Sequence, residues 1–396
     1  MSKTKRQASA KMFDGPKEKG LFEINAMALK KERNGEKIIH MEIGRPDFDT
    51  PASVKAAAIK ALENGAVFYT NLRGTDELRL AAASYLRRQL GLEYKPFEEI
   101  LVTVGASEAL HDIWSAFFDP GDEIIVPSPY YGSYREMIRF AGGKMVEVPI
   151  IENGRVVYDM NKFEAALTPK TKMIILNSPN NPTGYVMTRE EIIKIAEFAE
   201  KNDLIVISDE CYDHYVFEGE YVSIAQLPGM KERTLIVHST SKLFSMTGWR
   251  VGFIAGPQEL VQHCITVHGH EVVCPAAFAQ AGAAYAYANE MPEIAEMCAE
   301  FQRRKEYIAE FLQSYGKLGY IEPKGAFYVF IDISATGLSG ADFCEQFLLA
   351  TGVTFSPGTV FGSQWKDYIR VSYASSMDNI REAMTSLKAF CDKMIK

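Results

Sequence analysis

Long apolar runs are missing from this 396-residue chain. The strongest, Glu99-Ile-Leu-Val-Thr-Val104, Met173-Ile-Ile-Leu176 and Leu204-Ile-Val-Ile-Ser208, stop at polar residues or glycine. They fall far short of the roughly eighteen residues a membrane helix needs and read instead as buried strands. Positive charge is also in deficit. With 43 Lys+Arg against 51 Asp+Glu the net charge is −8, the wrong sign for a partner made of nucleic acid or anionic membrane. The six cysteines (Cys211, Cys264, Cys274, Cys298, Cys344, Cys391) are scattered and never form CxxC. Neither a structural zinc site nor a secreted disulfide framework is indicated, and free thiols in the cytoplasm are the expectation. No GxGxxG follows any apolar run, which removes a nicotinamide-dependent dehydrogenase. Internal repeats and low-complexity tracts are absent as well.

What is present is an alternation. At about 150 residues per domain the length suggests two or three domains. Residues 1–20 open with MSKTKRQASAKM, basic and polar with no apolar core behind it, so a flexible arm is expected rather than a signal peptide. From 51 to 289 short Val/Ile-rich runs alternate with helix-like stretches, which predicts a large α/β domain whose mostly parallel sheet is covered by helices on both faces. Residues 290–396 change to a long helix followed by mixed elements. With residues 21–50 they are expected to form a smaller α+β domain.

In open α/β sheets the residues just past the strand ends carry function. Val237-His-Ser-Thr-Ser-Lys242 ends a strand on a lysine, followed by Leu-Phe-Ser-Met-Thr-Gly-Trp-Arg250. A lysine among apolar and hydroxyl neighbours is pushed toward the neutral amine, the form that makes a Schiff base; a surface lysine after a strand is the plainer alternative. Ser239 and Arg250 flank it with a hydroxyl and a guanidinium suited to a phosphate dianion. Asp209 lies just past Leu204-Ile-Val-Ile-Ser208, where a carboxylate can keep the ring nitrogen of pyridoxal phosphate protonated, although a helix cap or magnesium ligand is commoner for such an Asp. Tyr212 stands three residues on. Asn181 sits in the turn-rich Ser178-Pro-Asn-Asn-Pro-Thr-Gly184, which needs no role beyond the turn. Val104-Gly-Ala-Ser107 closes a strand and opens a helix, so its amides can cradle phosphate. Tyr131, after Ser128-Pro-Tyr, can stack on a flat ring or simply fill a core.

These segments, together with Gly44-Arg-Pro-Asp-Phe-Asp-Thr-Pro51, Phe68-Tyr69, Leu78-Arg79, Asp209-Glu-Cys-Tyr212, Thr247-Gly-Trp-Arg250 and Ile369-Arg370, occur in an order and spacing that closely resembles the class I aminotransferases. These are pyridoxal-phosphate transferases of fold type I, and the resemblance runs from about Ile43 to the carboxyl terminus. It implies that Lys242 holds the cofactor as an aldimine, Asp209 pairs with the pyridine nitrogen, Asn181 and Tyr212 hold the ring oxygen, and Tyr131 stacks on the ring. Ser239, Arg250 and the Ala106 and Ser107 amides would hold the phosphate. Tyr69 would reach the phosphate of a neighbouring subunit, which implies a homodimer with shared sites. Arg370, assisted by the Gly44 backbone, would take the substrate α-carboxylate; a structural salt bridge is its alternative. No metal is implied.

The implied activity is transfer of an amino group from an amino acid to a 2-oxo acid by a ping-pong route. A lyase, cyclase or amino-acid oxidase would use the same residues, and a non-catalytic regulatory relative is a further alternative. Two departures stand out. Arg45 replaces a frequent Glu, and Val267-His-Gly-His-Glu271 occupies a loop that usually carries small or hydroxyl residues. His268 and His270 are expected to be solvated there, with a substrate-tail or phosphate contact as the alternative.

Overall fold

The computed structural model describes residues 20–395, so the expected arm lies almost wholly outside the described residues. Seven strands form the central sheet: β2 (Ile100–Thr103), β3 (Glu123–Ser128), β4 (Lys144–Pro149), β7 (Thr171–Asn177), β8 (Ile205–Asp209), β9 (Thr234–Ser239) and β10 (Gly252–Ala255). Their spatial order is β2-β10-β9-β8-β7-β3-β4. All neighbours are parallel except β10, which is antiparallel to both β2 and β9. A short hairpin, β5 (Ile151–Glu152) with β6 (Arg155–Val156), follows the edge strand.

Successive strand side chains point to opposite faces, so the near-continuous apolar runs feed two cores. Leu235 and Val237 pack with Ile207 and Ile254 under α4 (Gly105–Phe117), α5 (Ser133–Phe140) and α9 (Gln258–Glu271). On the other face Ile236, Phe253 and Val102 pack toward α3 (Asp76–Leu90) and α10 (Ala277–Ala288), with α2 (Ala52–Glu63) against α10. Further along that face Ile174 and Val206 meet α6 (Met160–Ala166) and α7 (Arg189–Lys201). Thr188 starts α7 with a capping box to Glu191, as the Thr-x-x-Glu spacing dictates.

The second, four-stranded antiparallel sheet has the order β11-β12-β15-β14, from β11 (Gly319–Ile321), β12 (Tyr328–Asp332), β14 (Ser356–Pro357) and β15 (Tyr368–Ser372). Around it lie α1 (Leu21–Arg33), α11 (Pro292–Tyr315), α12 (Gly340–Thr351) and α13 (Met377–Cys391). The amino-terminal strand β1 (Ile39–His40) pairs in parallel with β13 (Val353–Thr354), bringing segments more than three hundred positions apart into one ladder.

The sheet is mostly parallel, as expected, and one expectation needs correction. The run Val251–Ala255 is the strand that departs from the parallel majority, because only the four-residue helix α8 (Thr240–Leu243) and one further turn separate it from β9, too little for a parallel crossover. The Val267–Glu271 segment is not a loop. It is the last turn of α9, and His268 is fully buried while His270 remains exposed.

Candidate active site

A cavity of about 280 Å³ opens at the carboxyl ends of β7, β8 and β9. Every site residue expected from the sequence lines it except Tyr69. Strand register creates one wall: Asn177 and Asp209, the last residues of β7 and β8, are direct partners. The antiparallel β10 supplies another. Its first residue, Gly252, pairs with both Ser239 and Thr103, so the preceding Arg250 arrives at the same edge as the start of α4.

Asp209 is buried; its Oδ2 accepts a 2.5 Å hydrogen bond from Tyr134 Oη and its Oδ1 one of 3.3 Å from the Cys211 amide. Asn177 Nδ2 donates to the Asp209 carbonyl at 3.1 Å. Burial raises the Asp209 carboxyl, and the hydrogen bonds from Tyr134 and Cys211 oppose that rise. A cation placed beside this carboxylate would relieve the desolvation.

Lys242 sits in α8, and its Nζ donates to the Gly44 carbonyl at 2.5 Å. Burial, aided by the Arg370 and Arg250 charges, pushes its amine down to about 8, while Cys211 and Asp209 pull the other way. A larger share of neutral, nucleophilic amine is therefore present near neutrality than for an ordinary lysine.

The opposite end of the edge is built for an anion. Ala106 and Ser107 open α4, where backbone N–H groups have no carbonyl one turn back to bond. Arg250, with a left-handed φ of 57°, donates to the Thr247 carbonyl at 3.0 Å and the Val104 carbonyl at 3.3 Å. Gly105 is required there. A Cβ would come within 2.7 Å of Arg250 Nη2, and its own φ of +75° strains any other residue. Ser239 Oγ accepts from the Ser241 amide, capping α8, and donates to Ser241 Oγ at 2.8 Å.

Arg370, in β15, is buried against the rings of Tyr328 and Phe361, 4.6 and 4.8 Å from their centroids. It donates to Asn181 Oδ1 at 2.9 Å, Ser356 Oγ at 3.2 Å and the Glu42 carbonyl. No carboxylate pairs with it among the described residues, so the structural salt bridge held open for Arg370 is not what the fold uses it for. Tyr212 Oη lies 2.8 Å from Tyr328 Oη, and a Cβ on Gly44 would strike that same hydroxyl. Tyr131 lines the cavity beside Tyr134, edge to face at 5.4 Å.

Tyr69 stands apart. It is 85% exposed, next to exposed Phe68 and Val67, and borders a different hollow with Cys274 and Phe278. Sequence reasoning missed Tyr134, Cys211, Tyr328 and Leu21, all at or behind the cavity wall. Tyr134 had a signal: it lies in the first turn of α5, three residues past Tyr131 and shortly after a strand end.

The sequence matches the family "Aminotransferase class I and II" over residues 36–387. An aspartate aminotransferase of Pyrococcus abyssi is 40% identical over 354 residues, 89% of this chain and 91% of that one. Aromatic-amino-acid aminotransferase 2 of Thermococcus litoralis is 38% identical over 356 residues, covering 89% and 91%. Among solved structures, an aspartate aminotransferase from Thermus thermophilus with maleate superposes with a TM-score of 0.90 at 38% identity, covering 97% of this chain and 99% of that one.

Proposed function

The chain belongs to the class I and II aminotransferase family and is an aminotransferase, and from that premise we propose the residues that carry the reaction. Its substrates are an amino acid and a 2-oxo acid, exchanged in ping-pong order.

The cavity residues fit pyridoxal 5′-phosphate. Three independent features match three parts of that molecule. Asp209 is a buried carboxylate with only neutral donors, which suits a protonated ring nitrogen. The start of α4 with Arg250 and Ser239 suits the phosphate, and the lowered amine of Lys242 suits the aldehyde. The observation that carries the reading is the convergence of all three on one cavity. When bound, the cofactor supplies an electron sink for the carbanion formed at the substrate α-carbon.

The chain's own residues do the rest. Asp209 would hold a proton at the ring nitrogen, and Tyr134 fixes that carboxylate with its hydrogen bond. Lys242 Nζ, as a free amine, would take the substrate's α-proton and hand it to the carbon that was the cofactor's aldehyde, two atoms along, so that the proton moves by a 1,3-shift. Tyr212 and Asn181 would hold the ring oxygen, and Tyr131 would cover a ring face and exclude water. Arg370 receives the α-carboxylate in its fork, fixing which bond faces Lys242. Gly44 contributes its carbonyl as the resting partner of Lys242.

The active unit in this reading is a homodimer, with Tyr69 donating to the partner's phosphate. Its support is that Tyr69, Phe68 and Val67 form an exposed apolar patch away from their own cavity. The chain is read as residues 51–289 binding the cofactor, with 21–50 and 290–396 forming the smaller domain; the β1–β13 pairing supports that join.

A spectrophotometric screen tests the function. Amino acids are added singly to the purified yellow enzyme, and a good donor converts the cofactor to its amine form with release of one 2-oxo acid. If no amino acid does so, the proposal fails. Mixing Lys242→Ala and Tyr69→Phe chains tests the sharing: activity should exceed either parent after subunit exchange, and simple averaging would place Tyr69 in its own chain's site.

A further inference from the structure

Outside the cavity, α4 and α9 bury a cluster that the reaction does not use. Glu108 and Asp112 stand four apart on one face of α4, and α9 brings His268 opposite them. One ligand atom from each of the three lies within 4.8 Å of the others. His268 Nδ1 is 2.8 Å from Glu108 Oε1 and 3.8 Å from Asp112 Oδ2. These separations bracket the edge of about 3.3 Å that a tetrahedral ion with bonds of about 2.0 Å would impose.

The cluster is short of partners. Asp112 is 0% exposed, yet neither of its carboxylate oxygens has a hydrogen bond, and the Nε2 of His268 has none either. His268 Nδ1 lies within hydrogen-bond distance of Glu108, at 2.8 Å, and outside it from Asp112, at 3.8 Å. Asp112 is left buried and unmatched, an arrangement that costs folding energy unless something else meets it.

We infer that Glu108, Asp112 and His268 form a binding site for one divalent transition-metal ion of the zinc class, clamped between α4 and α9. Two carboxylates and one neutral imidazole balance a double positive charge, so the filled site carries no net buried charge. One nitrogen and two oxygens, with a fourth position for water, suit zinc rather than calcium, which gathers six to eight oxygens. The site has a mechanical link to the cavity. Glu108 Oε2 accepts from the Val104 amide, and the Val104 carbonyl accepts from Arg250, so an ion here would tie the turn that precedes α4 to α9.

The test uses the cofactor-loaded enzyme after dialysis against a chelator. Zinc is titrated back and read by metal analysis of the desalted protein and by the thermal midpoint, with cofactor absorbance recorded throughout. Wild type should retain one zinc per chain and melt at a higher temperature with it. Asp112→Asn and His268→Gln should each weaken zinc binding by about tenfold or more, with cofactor absorbance unchanged. His111→Gln, half-buried on α4 and outside the cluster, should bind as wild type does. Failure of wild type to take up zinc overturns the inference without recourse to any variant. Uptake that is equal in all four proteins overturns it too, by placing the ion elsewhere.

Discussion

At one end of the cavity a buried carboxylate, Asp209, is held by neutral donors, Tyr134 Oη and the Cys211 amide. At the other a buried guanidinium, Arg370, is held by neutral acceptors, Asn181, Ser356 and the Glu42 carbonyl. Neither has an opposite charge within ion-pair distance among the described residues. Each end is therefore preorganised and electrically incomplete, one awaiting a cation and the other an anion. In the proposed reading a zwitterionic ensemble of cofactor and amino acid would complete both, and neutral scaffolding would keep the charges from satisfying each other in advance. Lys242 lies between the two, its amine lowered by burial and by the Arg370 charge.

Removing the element between the ends should have the largest effect. Lys242→Ala should leave no measurable transamination while circular dichroism stays native, since it deletes both the attachment point and the proton carrier. Normal turnover in that variant would sink the assignment. Next, Asp209→Asn keeps the shape of its end and removes the charge. Single-turnover conversion with a good donor should slow by about three powers of ten, equivalent to about 4 kcal/mol, and an unchanged rate would remove Asp209 from the site.

The opposite end is probed by Arg370→Lys, which keeps the charge and loses the fork. We expect kcat/KM for amino acids to fall by about a hundredfold, or about 2.7 kcal/mol, with cofactor content unaltered. Loss of cofactor instead would mean the two ends are not separable. Tyr134→Phe removes one hydrogen bond from Asp209 and should cost about a factor of ten in the half-reaction, near 1.4 kcal/mol. An effect as large as that of Asp209→Asn would show that the hydroxyl does more than orient.

The smallest expected effect concerns stability behind Arg370. Hydrogen bonding to buried Glu42, with further help from Glu32, raises His40 from 6.5 to about 9 against the opposing cost of burial. Because the folded state holds this proton more tightly than the unfolded one, the contribution is fully present below pH 6.5 and is lost as pH rises through about 9. Urea midpoints should fall across that window for wild type, and the fall should shrink in His40→Gln. Equal pH dependence in both would contradict the pairing.

The two ends also differ in how plainly the sequence shows them. Asp209, Asn181, Ser239 and Lys242 each follow an apolar run within a few residues, so strand periodicity alone places them along one edge. The Arg370 end is assembled from chain segments far apart: Glu42 and Arg370 are separated by 328 positions, and Asn181 and Arg370 by 189. No local pattern announces Tyr328 or Ser356, and Arg370 itself was legible only through family resemblance. The helices and the covered sheet followed from apolar spacing, whereas the reversal at β10 depended on connection length. His268 was expected in a loop because the family resemblance puts one there, yet the local spacing is helical. Val261, Cys264 and Ile265 precede it at intervals of seven, four and three, which puts His268 on the buried stripe of α9.

The account stands most directly on Lys242 being the attachment point between the two ends. Borohydride reduction of the yellow enzyme, followed by proteolysis and mass spectrometry, locates that bond. We predict a single phosphopyridoxyl group on the peptide that contains Lys242, formed in full only in the absence of amino donor. A modified lysine elsewhere, or an enzyme that transaminates yet yields no reduced adduct, would contradict it.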